Sequence, residues 1–393
     1  MVLTRRQFLK RSSMMAAAGV LGPRLFGNPL VSQAFADIGD KYLVVIFLDG
    51  GNDGLNTAVP ASNGTGTLRT DYLNARHTGG GGLQLSLADL TDTVVGQDPN
   101  TGADVALHPG FRSFSQTTGD PGALGLFHPM FAGKLAVIQG CGYPDYSLSH
   151  EESRNIWESG DPTSGGYAGT GWVGRHLAAN YGGTDIPAVN IADSIVGEFK
   201  QSATSVLALR RLREFGFPYD EGTAGYLGVE NDAKRTAFLD LHQVAGPAST
   251  LQYVRGTGEV TLMSSEQFPA VAAAYANDAS RQPFNDEYAE FDRSTARDLR
   301  EVAKCIYGIE NTNLLPPNAQ PHFFQVSNGG YDTHSDQGAG DANGQHFGLH
   351  AEVAGAVNIF FRDLADMKPG LEDRVLVVIW SEFSRRIEQN ENG

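Results

Sequence analysis

The sequence predicts an α/β protein built around a mostly parallel central sheet, and three observations carry that prediction. "YLVVIFLDGG" (Tyr42 to Gly51) is an unbroken β-branched apolar run that ends in Asp and glycines. Such a run fits a strand covered on both faces rather than one with a wet side. Similar short runs recur at "KLAVIQG" from Lys134, "PAVNIA" from Pro187, "HFFQVSNGG" from His322 and "RVLVVIWSEF" from Arg374. Finally, "HFGLHAEVAGAVNIFFRDLADM" (His346 to Met367) sets Val353, Val357, Phe360, Phe361 and Leu364 on one helical face, between two of these runs. Strand, helix, strand in that order implies a parallel crossover unit.

Taken along the chain, the first 36 residues are expected to be a signal peptide. "TRRQFLK" (Thr4 to Lys10) holds adjacent arginines, "SSMMAAAGVLG" (Ser12 to Gly22) is a short apolar stretch, and "AFA" ends at Ala36 with cleavage-type spacing. The pattern is that of the twin-arginine route, which exports folded proteins. It implies a periplasmic or otherwise exported protein with the twin-arginine export machinery as a partner. The stretch is too short to span a bilayer, and no other segment is apolar enough to do so. Residues 37–393 are expected to form one large domain. "SNGTGTLRT" (Ser62 to Thr70) and "HTGGGG" (His77 to Gly82) read as flexible surface loops. From about residue 201 to 309 the chain reads as a mainly helical insertion, with "SVLALRRLREFG", "NDAKRTAFLDLHQVAG" and "STARDLREVAKCIYG".

Charge narrows the function classes. The net charge is −16, and losing residues 1–36 removes Arg5, Arg6, Lys10, Arg11 and Arg24 but no acid, which takes it to −21. That surface repels nucleic acid and anionic membranes. An anionic substrate would need local cations. The two cysteines, Cys141 and Cys305, do not make a disulfide scaffold; a pair and two buried free thiols both remain open.

In an open parallel sheet, ligands bind beyond the carboxyl ends of the strands. The first run delivers Asp49, Asn52 and Asp53 there; the run at Phe323 delivers Asp332 and His334; the last delivers Glu382, followed by Arg385 and Arg386. Carboxylate oxygens suit hard divalent cations such as Ca²⁺ and Mg²⁺, and Zn²⁺ and Mn²⁺ also accept imidazole. The candidate metal set is Asp49, Asp332, His334, His346 and Glu382, and the candidate catalytic set is Asn52, Asp53, His150 and Arg385. Each has a plainer reading beside it. "DGGNDG" fits a tight turn, Asp332 a helix-capping acid, and His334 and His346 solvated histidines. Arg385 is either the ion-pair partner of Glu382 or a contact for a substrate anion. His150 in "SLSHEES" is a general acid, a substrate contact, or simply the start of a helix. His108 in "LHPGF" reads as structural. G-x-S-x-G, P-loop, H-E-x-x-H and G-x-G-x-x-G signatures are missing.

The stretches "RRQFLK", "VVIFLDGGNDGLNTAVP", "LHPGF", "GKLAVIQGCGYPDYSLSHEESRNIWESG", "GGYDTHSDQ" and "VLVVIWSEFSRR" together resemble an exported bacterial family, the domain of unknown function 1501 family. That family is regarded as sulfatase-like and as a distant relative of the alkaline phosphatase superfamily. The resemblance implies a three-layer α/β/α sandwich with a metal site at the strand ends, where Asp49, Asp332 and His334 would correspond to ligands. Glu382 would stand where the superfamily often has an Asp–His pair. The chain departs from the pattern twice. The superfamily attacks with Ser, Thr or a modified Cys after strand one, where this chain has Asn52, Asp53, Asn56 and Thr57, Thr57 being the single hydroxyl. Relatives also continue past the final run into a Gly-Thr-Asp-His-Gly-like segment, whereas this sequence stops at Gly393, which reads as a fragment or truncated product.

The leading expectation is an exported metal-dependent hydrolase of phosphate or sulfate esters, with a small-molecule or polymer ester as substrate. The alternative is a non-catalytic exported binding or envelope-associated protein on a degenerate fold of this type. A polysaccharide-active enzyme using paired carboxylates is the third reading.

Overall fold

The computed structural model of the chain describes residues 41–77, 82–112, 125–164, 169–181, 186–201, 205–216, 233–238, 240, 249–312, 314–335, 337–339 and 344–390. The expected signal peptide at residues 1–36, residues 78–81 of the expected glycine-rich loop and parts of the expected helical insertion at 201–309 lie outside these. In chain order the elements are strand β1 (Tyr42–Asp49), the one-turn helix α1 (Gly54–Thr57), β2 (Ala58–Pro60), α2 (Leu68–Ala75), α3 (Leu87–Leu90), β3 (Val94–Gln97) and β4 (Asp104–Leu107). Then come α4 (His150–Ser159), α5 (Trp172–Asn180), β5 (Ala188–Asn190), β6 (Val206–Ala208), α6 (Ser249–Asn277), α7 (Gln282–Phe291), α8 (Ser294–Glu310), β7 (Phe323–Gly329), α9 (Gln345–Met367) and β8 (Val375–Trp380).

The central sheet runs β6-β5-β7-β1-β8, and every pairing in it is parallel. β1 lies between β7 and β8, with Asp49 level with Gly329 and Phe47 level with Trp380. This interior place is why its apolar run is unbroken. Alternate residues serve the two faces. Tyr42, Val44, Ile46 and Leu48 join Phe324 and Val326 in a core with residues of α8 and α9. Leu43 and Phe323 pack with Val173 and Leu177 of α5. Helices therefore flank the sheet on both sides. α9 follows from its apolar stripe, with Val353, Val357, Phe360 and Leu364 all buried.

Several expectations fail locally. "KLAVIQG" is not a strand: residues 135–139 carry no regular structure, and Leu135 and Ile138 are exposed. Glycines with positive φ, Gly133 and Gly140, bound the run; strand propensity without a hydrogen-bonding neighbour does not make a strand. Cys141, just beyond, is consequently exposed, while Cys305 is buried; both are free thiols. "SVLALRRLREFG" is not a helix. Val206–Ala208 pairs with Ala188–Asn190 along the outer edge of β5, and the chain then makes a short 3₁₀ turn. A short apolar run is ambiguous by periodicity alone, and here the open edge decides it. α2 starts inside the predicted loop, at Leu68. A small antiparallel sheet, β2-β4-β3, was not predicted. Among the described residues no helix is long and apolar enough to cross a membrane.

Candidate functional site

Because β7, β1 and β8 are parallel neighbours, their carboxyl ends meet at one edge, and the loops leaving them are stitched together. Gly50 carries φ +125°, and a Cβ there would lie 2.3 Å from the Asp332 backbone nitrogen, so only glycine lets the β1 and β7 tips touch. Tyr331 N–H donates to the Asp49 carbonyl. Arg385 then closes the junction: its Nε donates to the Gly51 carbonyl at 2.7 Å, and Nη2 reaches the carbonyls of Gly50 and Tyr331 and the Asp332 carboxylate.

Glu382, two residues past β8, is only 1 % exposed. Its expected partner Arg385 is not among its contacts. Gly50 N–H and Ser381 Oγ donate to it at 3.0 and 2.9 Å, and His150 Nδ1 lies 2.7 Å from Oε1. His150 opens α4, as the plainer reading had it, but the helix also aims it. Ser149 caps the helix by accepting from Glu152 N–H, and Tyr143 braces the approach through Ser147 and Ser153. With Nδ1 on Glu382, the Nε2 atom stands 3.4 Å from Asp332 Oδ1. His334 Nε2 is 2.8 Å from that same oxygen, and the His334 side chain is 75 % exposed. Burial pushes the Asp332 carboxyl up, but the hydrogen bond and charge of Arg385 outweigh it and hold the group below the usual carboxylate range.

Asp332, His334, His150, Glu382 and Arg385 are thus one connected set. A cleft of about 380 Å³ opens beside it, lined by His150, His334, Phe383, Arg385 and Arg386, with Asp53, Arg76 and Gln337 among its walls. Asp53 faces this cleft from a buried position. It caps α1 by accepting from Asn56 N–H. It also takes a two-point ion pair from Arg76 at 2.7 and 2.9 Å and a bond from Gln337 at 2.7 Å. Desolvation raises its carboxyl, yet the Arg76 charge wins and the pKa is lowered.

Three of the predicted residues, Asp49, Asn52 and His346, lie elsewhere. Asp49 ends β1 with an exposed side chain whose charge acts on Arg154. Among the described residues no hydrogen bond or ion pair joins it to Asp332, His334 or Glu382. His346 is not a solvated helix-end histidine: it is 1 % exposed, with Nε2 2.9 Å from Asn52 Oδ1. Asn52 is itself buried and bonded to Thr57. His346 sits with His350 and His108, and burial holds the imidazoles of His346 and His108 down at about 4 and about 3. His108 is structural in its contacts, accepting from Gly110 N–H and capping the turn Pro109–Phe111.

The strand-end donors are of the right kind for a divalent cation, but they do not fit one as placed. Arg385 and His334 already engage Asp332, and His150 engages Glu382. Among the described residues no group of three or more His, Cys, Asp or Glu is arranged to hold a metal ion. Sequence reasoning missed Arg76, Gln337, His350, Ser381 and Tyr331. Of these only His350 carried a signal, its i, i+4 spacing from His346.

Residues 317–393 match the family model described as protein of unknown function (DUF1501). The match spans β7, α9 and β8 and so covers Asp332, His334, Glu382 and Arg385. No curated protein and no solved structure matches the chain.

Proposed function

We propose that this chain is an exported hydrolase of phosphate or sulfate esters, with His150 as the acid–base residue and Glu382 as the group that orients it. One observation carries the reading: an imidazole tied through Nδ1 to a buried carboxylate stands in the wall of a cleft beyond the carboxyl ends of parallel strands. A carboxylate accepting from Nδ1–H fixes the ring and leaves Nε2 for a substrate proton, which is the logic of histidine in hydrolytic triads. Arg385 and Arg386 place positive charge in the same cleft, against the bulk repulsion of a chain with net charge −16.

In the proposed reaction a water oxygen attacks phosphorus or sulfur while its proton passes to His150 Nε2. The ester P–O or S–O bond breaks, and the leaving oxygen takes a proton from the imidazolium, restoring the neutral ring. Thr57, the single hydroxyl of the region after β1, donates to the Asp53 carbonyl at 2.7 Å, so water rather than a side chain is assigned as nucleophile. A Zn²⁺, Mn²⁺, Ca²⁺ or Mg²⁺ ion would supply Lewis-acid chemistry, but at Asp332 it would first have to displace Arg385. The family match at residues 317–393 and the resemblance over the rest of the chain support a sulfatase-like, α/β/α reading. The twin-arginine segment supports export to the periplasm.

The test is turnover of nitrophenyl phosphate and nitrophenyl sulfate by the full chain, with EDTA and with each of the four cations. Turnover should fall at least about 100-fold in His150→Asn, the scale of a lost general acid–base group, with thermal stability unchanged. Absence of turnover under every condition, or full activity in His150→Asn, would overturn the proposal.

The second reading, a non-catalytic exported binding protein, is favoured by the pairing of Asp332 and Glu382 with neighbouring side chains. It predicts ester binding without cleavage, and an Asp332→Ala host with an unchanged phenotype.

A further inference from the structure

Behind the cleft lies a second polar cluster that the proposed hydrolysis does not use. His346 and His350 stand at i and i+4 on α9, a spacing that puts both side chains on one helix face. They are 1 % and 0 % exposed, with ring centroids 4.1 Å apart. Each has one nitrogen against an oxygen: His346 Nε2 is 2.9 Å from Asn52 Oδ1, and His350 Nε2 is 3.3 Å from Thr57 Oγ1. The opposite nitrogen, Nδ1, is buried without a partner in both rings. The Tyr331 hydroxyl is also buried without a partner, on a ring 6.2 and 5.7 Å from the two imidazoles. His108 completes the enclosure at 5.1 Å from each. Both its nitrogens are engaged, Nδ1 by Gly110 N–H and Nε2 by the Ala339 carbonyl, so it is a wall and not a donor.

Buried polar atoms without partners are uncommon and call for an explanation, an ion being one. An imidazole with one N–H anchored on an oxygen and the other nitrogen bare is the form in which histidine binds metals. We infer that His346 and His350, with Tyr331 as third donor, hold a transition-metal ion of the Zn²⁺, Cu²⁺ or Ni²⁺ class inside the domain. Nitrogen-rich donor sets suit these ions, whereas Mg²⁺ and Ca²⁺ favour oxygens. The site is distinct from the acids at the strand ends: His346 and His350 are absent from the cleft lining, and Asp53, which lines it and whose charge reaches His346, is held by Arg76 and Gln337. Since the donors are sealed from solvent, the ion would enter as the chain folds and bind in step with folding. The inference is independent of the hydrolase reading, because its readouts are metal content and stability.

The experiment uses untagged full-length chain purified without chelators. Metal content is measured by mass spectrometry, and thermal stability is followed after unfolding in EDTA and refolding with or without Zn²⁺. About one equivalent of metal per chain is expected, with a melting temperature several degrees higher when Zn²⁺ is present during refolding. His346→Asn and His350→Gln should retain less than a tenth of that metal; Asp332→Asn and His334→Ala should retain it all. Where a histidine variant does not fold, Tyr331→Phe, which removes only the hydroxyl, should lose metal to a competing chelator at least about tenfold more readily. The inference falls if the native chain carries no metal and Zn²⁺ leaves the melting temperature unmoved. It falls equally if metal follows Asp332 and His334 instead, or if Tyr331→Phe holds its ion as tightly as the native chain.

Discussion

Arg76→Met is the perturbation whose cost is best defined by the structure. Both partners of the Arg76–Asp53 pair are sealed, at 2 % and 1 % side-chain exposure, and joined by two short bonds. Removing the guanidinium leaves Asp53 with only Gln337 and the α1 backbone amide. Stripping one member from a buried pair costs about 3–5 kcal/mol, mostly because a charge is left uncompensated. At about 2 °C per kcal/mol for a chain of this size, the melting temperature should fall by roughly 6–10 °C near pH 7.5. The pH dependence has a definite sign. In the native chain the Asp53 carboxyl is lowered, so its contribution is present above the unfolded value of about 3.9 and is lost as pH falls through the lower folded value. Without Arg76, burial dominates and the folded value rises above the unfolded one, so the variant takes up a proton on folding and regains stability as pH falls. The gap between variant and native chain should therefore narrow from pH 7.5 to pH 5, and Arg76→Met combined with Asp53→Leu should recover much of the loss. Urea melts at both pH values measure this. A loss under about 1 kcal/mol, a gap that widens on acidification, or a double variant no better than the single one would refute the argument.

Two other predictions are independent of it. Glu198 is 1 % exposed, and burial, reinforced by the neighbouring Glu158, pushes its carboxyl up to about 8. Such a group weakens folding as pH rises from about 4.5 to 8, so Glu198→Gln should add about 2–3 kcal/mol at pH 7.5 and nothing near pH 4.5; equal effects at both would contradict it. Gly50→Ala forces a side chain into φ +125° and against the Asp332 backbone. It should lower stability by about 2–4 kcal/mol and reduce any esterase activity with it; a variant of native stability would show that the strand tips do not need this contact.

β1 was legible because burial on both faces leaves an uninterrupted apolar signature; β5, β7 and β8 were legible from shorter apolar runs, although β8 lies at the sheet edge with Leu376 exposed. β6 was misread as helix because Val206–Ala208 is too short to show a period. The 135–139 run showed the limit in the opposite direction, since its composition is that of a strand while its surroundings supply no partner. At the candidate site, His150 arrives on the first turn of α4 after a run that forms no strand, whereas the convergence of Asp332, His334 and Glu382 follows from parallel topology, which the sequence implies. Their pairing does not, because Arg385 reaches Asp332 rather than Glu382 by a choice of rotamer that no spacing encodes. Arg76 was invisible for a related reason. Nothing in "LNARHTGG" announces that its guanidinium neutralises an acid 23 residues earlier.

The Glu382 carboxylate joins two roles that are usually held by different side chains. It fastens the Gly50 amide across from β8, and it steers His150. Any replacement there disturbs the strand-end joint and the placement of His150 together, so an engineer seeking a new specificity gains little freedom at this residue. More freedom lies at Arg386, whose exposed side chain lines the cleft outside the Asp332–Glu382 set.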